Sequence, residues 1–398
     1  MKTKYAIIIP DGAADYPIEE FDGKTPLQAA QTPNMDRIAI QGRQGTVQTI
    51  PAGMPAGSDV AQMSLLGYDP LKYYNGRAPI EAAAQDIKLG EDDWAFRCNL
   101  VTIADDVMAD HSAGHISTDE AAKVIADIKT LFAEDARLKF YTGVSYRHLC
   151  IITGEDFEKI VTTPPHDIIG EKASKYYPKG KHAKMLVEAM KRSQDFLADH
   201  DINRVRKDLG ENPVTSIWLW GHGQRMALDS FKKRFKLSGA AITGVDLIRG
   251  LAKLIGFDIL HVEGATGYID TNYYGKGQAA VEALENYDLL FVHVEAPDEA
   301  GHSGNAQAKK YSIEQIDRHI VGPVHEALEK YQDYRIIVLP DHPTPIEIQS
   351  HTDEPVPFAM AGTNVKASLK KPFSEENAFE TGLHIPRGSE LMEYFLTI

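Results

Sequence analysis

FVHVEAPDEAGH (residues 291–302) joins a run of apolar residues to a carboxylate and an imidazole. The apolar part, Phe291 to Val294, predicts a buried strand, because short apolar runs bounded by turn residues are typical of strands inside a sheet. Asp298 and His302 follow just beyond its end, where open parallel sheets bind their ligands. Both side chains are ordinary ligands for Zn²⁺ or Mn²⁺, so a metal site is one interpretation. For this pair alone, a hydrogen-bonded loop is the better explanation.

Two other stretches end in the same way. RIIVLPDHPTP (335–345) runs through an apolar segment into Asp341 and His342, and YAIIIPDG (5–12) runs into Asp11. If the three strands lie in one parallel sheet, the three aspartates converge at its edge. Such carboxylates repel one another unless cations lie between them. The repeated pattern therefore predicts a site for two divalent metal ions.

Composition limits the functions that remain. A chain of 398 residues with 43% apolar and 25% charged residues is typical of a soluble globular protein of two or three domains. The formal net charge of −15 argues against binding to nucleic acids or to anionic membranes. No apolar segment approaches the roughly 20 residues of a membrane span. Cys98 and Cys150 are the only cysteines, which argues against a disulfide framework and predicts a reducing cytoplasm.

Strand and helix patterns predict two domains. Both ends of the chain alternate apolar strands with amphipathic helices, which is typical of a parallel α/β sheet. The middle differs, since FYTGVSYRHLCIITG (140–154) predicts two strands around a turn, as in an antiparallel α+β module. We therefore expect a parallel-sheet catalytic domain formed by residues 1–93 and 217–398. A smaller α+β domain, residues 94–216, would be inserted into it.

Ser58 is the candidate nucleophile. It follows two proline–glycine turns and directly precedes DVAQMSLLG (59–67), a short amphipathic segment. Ser58 therefore lies at or next to a helix N-terminus. That position favours negative charge such as a phosphoryl group. Serine is also a preferred helix N-cap, and taken alone the cap is the better explanation.

Taken in order, these motifs form a specific set. They resemble the metal and nucleophile motifs of the alkaline phosphatase superfamily, through Asp11-Gly12, Gly57-Ser58, Asp298 with His302, Asp341-His342 and His351. From end to end the chain resembles the archaeal-type cofactor-independent phosphoglycerate mutases, through GKTPLQAAQTPNMD, GSDVAQMSLLGYDP, EGATGYIDTNY, EAPDEAGH and LPDHPTP. The resemblance implies an alkaline-phosphatase-like fold and an isomerase of glycolysis and gluconeogenesis.

The resemblance also implies two-metal phosphoryl transfer through a phosphoserine. One ion would be held by Asp298, His302 and His351. The other would be held by Asp11, Asp341, His342 and the Ser58 oxygen. Oxygen and imidazole ligands without cysteine suit Mn²⁺, the ion we expect, with Zn²⁺ or Mg²⁺ as alternatives. No 2,3-bisphosphoglycerate would be required.

In the mutase reaction of this family, phosphate passes from 3-phosphoglycerate to the serine and returns to the 2-hydroxyl of the reoriented glycerate. The inserted domain would hold this small phosphorylated substrate and exclude water. Its candidate residues are His111, as acid or base, and Arg97, Asn99, His115 and Arg147 as substrate ligands. Arg77 would join them from the metal-binding domain. Arginine suits bidentate contact with carboxylate or phosphate.

One motif departs from the family pattern. Where archaeal mutases typically carry DRRAGR, this chain has DHSAGH (110–115), so His111 and His115 replace arginines. Histidine is a weaker, pH-dependent anion ligand, although it can act as an acid or base. With HSAGH, the chain resembles a bacterial branch of the family whose members are sometimes proposed to be homoserine kinases. Three alternatives stay open: a homoserine kinase-like phosphotransferase, a cytosolic phosphomonoesterase, and a non-catalytic metal-binding or scaffold protein. The chain has no GxxxxGK[ST] loop for ATP, which counts mildly against the first.

Overall fold

A computed structural model of the protein describes residues 3–398, whose strands form two separate sheets. In chain order the strands are β1 (Lys4–Pro10), β2 (Arg43–Val47), β3 (Asp93–Ala104), β4 (Val107–Asp110), β5 (Leu138–Val144), β6 (Arg147–Thr153), β7 (Ser216–Gln224), β8 (Gly239–Ile242), β9 (Asp258–Ile259), β10 (Leu289–Val294), β11 (Tyr334–Val338), β12 (Val356–Gly362) and β13 (His384–Ile385).

The α-helices are α1 (Pro26–Ala29), α2 (Pro33–Gln41), α3 (Ser58–Leu65), α4 (Pro70–Tyr73), α5 (Ala78–Ala84), α6 (Thr118–Leu131), α7 (Ala183–Leu197), α8 (Asp201–Asp208), α9 (Phe231–Phe235), α10 (Asp246–Leu254), α11 (Tyr273–Ala283), α12 (Ala296–His302), α13 (Ala306–Ile316), α14 (Gly322–Leu328), α15 (Glu375–Glu380) and α16 (Leu391–Thr397). Within residues 3–398, every helix is too short or too polar to cross a bilayer.

The first unit consists of Met1–Tyr74 and Ala227–Ile398 and contains an eight-stranded sheet, in the order β13-β2-β12-β11-β1-β10-β8-β9. All neighbouring strands pair in parallel except β12, which is antiparallel to both β11 and β2. Apolar side chains of β1, β10 and β11 pack against helices on one face of this sheet. The predicted α/β fold with a parallel sheet is confirmed.

The register of three strands builds the site. Strand β1 lies between β10 and β11 and pairs in parallel with both, so that Ile8 faces Val292 on one side and Val338 on the other. The three strands therefore end at the same edge of the sheet. The segments that follow them are brought together without any contribution from the rest of the sheet.

The second unit, Asn75–Met226, is built around an antiparallel sheet of five strands. Strand β6 pairs with one edge of β3, and β7 pairs with its other edge. Apolar residues of β3, β6 and β7 pack against α6 and α7 in one core, in which Cys98 and Cys150 are buried as free thiols. The predicted insertion, residues 94–216, lies inside this unit.

Arg77 was predicted in the metal-binding domain, and this placement is wrong. Helix α5, which follows Arg77 directly, belongs to the second unit. Its residues Ala78 and Ala82 pack against Ala95 and Leu149 of the antiparallel sheet. Small side chains let the helix approach the sheet closely, and this packing fixes Arg77 to the second unit.

Candidate functional site

The three predicted aspartates lie at the ends of adjacent strands. Asp11 follows β1, Asp341 lies shortly after β11, and Asp298 lies after β10 on helix α12. All three are buried. The sequence predicted a loop around Asp298, but Pro297 occupies the first turn of α12, where proline is tolerated. The helix places Asp298 and His302 one turn apart, so both side chains lie on the same face.

The first cluster consists of Asp298, His302 and His351. The carboxylate oxygens of Asp298 lie 3.2 Å from His302 Nε2 and 3.4 Å from His351 Nε2. The two Nε2 atoms are themselves only 2.9 Å apart. The structure thus brings together the three residues predicted to hold one metal ion.

Hydrogen bonds to the backbone fix which nitrogen of each histidine carries hydrogen. His302 Nδ1 donates to the Gln349 carbonyl oxygen at 3.0 Å, and His351 Nδ1 donates to the Ala56 carbonyl oxygen at 3.3 Å, since carbonyl oxygens only accept. In the neutral rings, both Nε2 lone pairs would face each other and the Asp298 carboxylate. The arrangement requires a positive charge, which a divalent cation supplies when bound. When no cation is bound, a proton on His302 supplies this charge, because the hydrogen bond to Asp298 raises the pKa of His302 to about 9.

The second cluster surrounds His342. Its Nε2 lies 3.1 Å from Ser58 Oγ, 3.4 Å from Asp341 Oδ2 and 3.5 Å from Asp11 Oδ1. The Thr344 hydroxyl donates to Asp298 at 2.5 Å, so its oxygen accepts from His342 Nδ1 at 3.2 Å. This leaves the Nε2 lone pair directed at Ser58 and the two carboxylates.

The explanation of Ser58 as a helix cap is wrong. Gly57 occupies the N-cap position of α3 and Ser58 is the first helical residue, with no side-chain capping bond. The Ser58 hydroxyl is directed at His342 instead, so this serine lies within the cluster of carboxylates and imidazoles.

Burial and mutual repulsion set the electrostatics of this region. Burial, followed by the neighbouring carboxylates, raises the pKa of Asp11 well above its usual range. Burial likewise raises the pKa of Glu295 to about 8. Although burial opposes the shift, the close contacts of Asp298 with His302 and His351 hold its pKa well below its usual range. Several carboxylates thus share a region from which water is largely excluded, a situation that bound cations relieve.

The donor set fits two divalent cations. One group is Asp298, His342 and the partly exposed His351, and the other is the buried group Asp11, Asp341 and His342. Within the described residues, Asp11 Oδ1 is buried without a hydrogen-bond partner. An unpaired carboxylate oxygen beside imidazole lone pairs is what a metal-binding site requires.

Residues that the sequence did not predict hold these groups in place. Gln62 Nε2 donates to Asp341 at 2.9 Å, and the Gly12 N–H donates to the other Asp341 oxygen at 3.1 Å. Thr344 links Asp298 to His342. The sequence could have indicated Thr344, because it lies two residues after the predicted ligand His342. Gln62 carried no such signal, since a glutamine inside an amphipathic segment is typical of a solvent-exposed face.

A separate cluster lies in the second unit and contains the residues predicted to bind the substrate. Glu81 accepts from Arg77 Nε at 3.2 Å and from Arg97 Nε at 3.1 Å. The buried Arg97 guanidinium stacks 4.1 Å from the ring centre of Trp220. The Trp220 indole N–H donates to Asn99 Oδ1 at 3.0 Å. Arg77, Arg97 and Asn99 are thus brought together by one carboxylate and one aromatic ring.

Histidines extend this cluster around Tyr146. The rings of His111 and His115 lie 5.5 Å and 6.2 Å from that of Tyr146, and the Arg147 guanidinium lies 5.7 Å from it. His166, which the sequence did not single out, has its ring 6.0 Å from that of His111. All the predicted ligands in this unit therefore occupy one neighbourhood.

The DHSAGH turn is organised by its own aspartate. The Asp110 carboxylate accepts from Ser112 N, Ser112 Oγ and Gly114 N at 2.7–2.8 Å. Although burial opposes the shift, these hydrogen bonds lower the pKa of Asp110 to about 2. His115 takes a left-handed backbone with φ of 50°. Burial lowers the pKa of both His111 and His166, which favours their neutral forms.

Comparisons with known proteins identify the relatives of this chain. A family model described as 2,3-bisphosphoglycerate-independent phosphoglycerate mutase matches residues 39–203. The 2,3-bisphosphoglycerate-independent phosphoglycerate mutase 2 of Methanothermobacter thermautotrophicus is 48% identical over 394 residues, covering 99% of this chain and 97% of that protein. A Geobacter sulfurreducens protein, named a probable enzyme of the same kind, is 48% identical over 398 residues and 99% of both chains.

Two solved structures share the fold over the whole chain. A protein from Pyrococcus horikoshii is 32% identical with a TM-score of 0.82, covering 100% of this chain and 97% of that one. The cofactor-independent phosphoglycerate mutase of Thermoplasma acidophilum is 26% identical with a TM-score of 0.69, covering 100% of this chain and 99% of that one.

Proposed function

The chain belongs to the family of 2,3-bisphosphoglycerate-independent phosphoglycerate mutases, and we propose on this premise that it interconverts 3-phosphoglycerate and 2-phosphoglycerate through a phosphoserine at Ser58. The observation that carries the proposal is the position of Ser58 Oγ, 3.1 Å from His342 Nε2 among buried carboxylates. A serine hydroxyl placed there is a nucleophile with the groups that activate it already in position.

In the first step, Ser58 Oγ attacks the phosphorus, the Oγ–P bond forms and the bond from phosphorus to the 3-oxygen of glycerate breaks. The serine proton is lost and the glycerate 3-oxygen gains one, so the step releases neutral alcohol. In the second step the 2-oxygen of glycerate attacks the same phosphorus and loses its proton, the bond from phosphorus to the 2-oxygen forms, the Oγ–P bond breaks and Ser58 Oγ regains a proton. His111 is our candidate for carrying these protons, because burial lowers the pKa of its imidazole and so favours the form that can accept one.

One divalent cation would be held by Asp298, His302 and His351. The other would be held by Asp11, Asp341, His342 and Ser58. Such ions lower the pKa of the serine hydroxyl and neutralise charge on the transferring phosphoryl group. We propose Mn²⁺ as the ion, and a role in glycolysis and gluconeogenesis in a reducing cytoplasm. The free, buried Cys98 and Cys150 support that compartment.

We propose that the second unit, including residues 94–216, supplies the ligands for the glycerate part of the substrate. Arg77, Arg97 and Arg147 offer guanidinium groups that suit a carboxylate. His115 and Asn99 would add further hydrogen-bond donors. Arg97 is supported most strongly, since Glu81 and Trp220 hold its guanidinium in one orientation. An ordered guanidinium loses little entropy when it binds an anion.

The test is a turnover assay with purified protein and 3-phosphoglycerate, without 2,3-bisphosphoglycerate, in which 2-phosphoglycerate is followed through enolase. We expect turnover with Mn²⁺, loss of turnover with EDTA and recovery when Mn²⁺ is restored. The absence of turnover, together with ADP formation from ATP and homoserine, would overturn the proposal in favour of the kinase-like alternative. Release of free phosphate alone would favour a phosphomonoesterase.

A further inference from the structure

His293 is a fully buried histidine beside the candidate metal centre that was not among the predicted ligands. It is the fifth residue of β10, in the otherwise apolar run LLFVHV. A buried polar group without hydrogen-bond partners is costly. Both ring nitrogens of His293 do have partners, and one of these partners is a candidate metal ligand.

The hydrogen bonds of His293 define its tautomer. Its Nε2 lies 2.6 Å from Asp11 Oδ2, and its Nδ1 lies 3.2 Å from Thr243 Oγ1. The Thr243 oxygen already accepts from the Val245 N–H at 3.1 Å, so its own hydrogen is available to donate to Nδ1. The imidazole therefore carries its hydrogen on Nε2 and donates it to Asp11.

Strand pairing fixes both ends of this hydrogen bond. His293 pairs with Ile9 in the parallel register of β10 and β1, and Asp11 follows two residues later on the same face. The Asp11 backbone N–H also donates to the Val294 carbonyl oxygen at 3.0 Å. With Oδ2 held by His293, the second Asp11 oxygen, Oδ1, faces His342 Nε2 at 3.5 Å.

We propose that His293 is a positioning residue, which orients the Asp11 carboxylate so that Oδ1 is available to the cation shared with Asp341 and His342. His293 is not itself a ligand. Hydrogen bonds of this kind to ligating carboxylates typically contribute 10–100-fold to metal affinity. The inference depends on the proposed function only in taking Asp11 as a metal ligand.

A third cation at Asp11, His293 and Glu295 is the competing explanation, because ligand atoms of these residues lie within 4.8 Å of one another. Two observations favour positioning instead. Both nitrogens of His293 are already engaged in hydrogen bonds. In addition, the buried ammonium of Lys276 donates to the His293 carbonyl oxygen at 3.3 Å. Its positive charge interacts with Glu295, and it disfavours a further cation at this position.

The experiment is a calorimetric Mn²⁺ titration of metal-stripped full-length protein. For the wild type we expect two ions per chain. His293→Leu should weaken one of the two sites by about 10–100-fold and leave the other unchanged. His293→Gln should recover most of this affinity, because its side-chain amide can donate to Asp11. Phe291→Leu, on the same face of the same strand, is the matched control and should bind both ions as the wild type does.

Unchanged Mn²⁺ affinity in His293→Leu would overturn the proposal, as would a failure of His293→Gln to recover binding. Three ions in the wild type and two in His293→Leu would show that His293 is a ligand. If His293→Leu does not fold, Thr243→Val decides, since it removes the hydroxyl that orients the ring. We expect a several-fold weaker site, and wild-type affinity would contradict the proposal. Because no substrate is present, failure of the mutase assay would not affect this result.

Discussion

The two candidate clusters differ in how their side chains are held. In the first unit, Asp11, Asp298 and Asp341 are buried and fixed by the ends of three adjacent strands. In the second unit, His115 is exposed and His111 is only partly buried, and both touch Tyr146 through ring contacts. A buried carboxylate cannot be exchanged without leaving a charge unpaired, whereas an exposed ring can. The carboxylates of the first unit are therefore fixed by the fold, while the exposed rings of the second unit are open to exchange.

The largest expected effect comes from breaking the fixed cluster. We expect Ser58→Ala to lower kcat by at least about 10³-fold, because the transferred phosphoryl group has no acceptor. Substrate should still protect the variant against thermal unfolding, since the second unit is intact. Ser64→Ala is the matched control. Ser64 is buried on the same helix, and no hydrogen-bond partner of its Oγ is found within the described residues. Comparable activity of the two variants would remove Ser58 from the mechanism.

A change in the cluster of the second unit should produce a smaller and different effect. We expect Arg97→Ala to raise KM by about 10–100-fold, through the loss of one charge-assisted contact, and to leave Mn²⁺ affinity unchanged. Steady-state kinetics and a Mn²⁺ titration measure the two quantities separately.

Arg206→Ala provides the control for Arg97→Ala. Arg206 is also buried in the second unit, but it binds Glu120 and the carbonyl oxygens of Ala113 and Asn212. Its loss should lower the free energy of unfolding and raise KM far less than Arg97→Ala does. Equal KM values for the two variants would contradict the assignment of Arg97 to the substrate.

The smallest effect concerns the pH dependence of the second unit. Burial lowers the pKa of His148 from 6.5 to about 3. Below pH 6.5 the unfolded chain therefore binds a proton that the folded chain does not. Stability should fall as the pH drops from 6.5 towards 3, by about 1.4 kcal/mol per pH unit at most.

Tryptophan fluorescence reports this unfolding, because all three tryptophans, Trp94, Trp218 and Trp220, belong to the second unit. In the wild type, His148 Nδ1 accepts from the Gly143 N–H at 2.9 Å. The variant His148→Asn keeps an acceptor for this N–H, but its side chain cannot titrate. Urea denaturation at pH 7.0, 6.0 and 5.0 should give a shallower pH dependence for this variant. Parallel curves for variant and wild type would mean that His148 is not responsible.

The sequence was most informative where a residue pattern has a single structural outcome. Apolar runs ending in aspartate predicted both the parallel strands and the meeting of Asp11, Asp298 and Asp341, because parallel strands end at one edge. His293 was missed, since it lies inside such a run and its partner Asp11 is 282 residues away. His166 and Trp220 were missed for a related reason: ring contacts between distant segments leave no periodic signal. Arg77 was misplaced because alanines in α5 do not reveal which sheet they pack against.

The central claim, transfer through Ser58, is tested most directly by trapping the phosphorylated enzyme. Protein turning over 3-phosphoglycerate with Mn²⁺ is quenched in acid, digested and analysed by mass spectrometry. The account predicts a phosphate on Ser58, present in the wild type and in Arg97→Ala given saturating substrate, and absent from Ser58→Ala. Turnover without any phosphorylated peptide, or with phosphate on another residue, would contradict it.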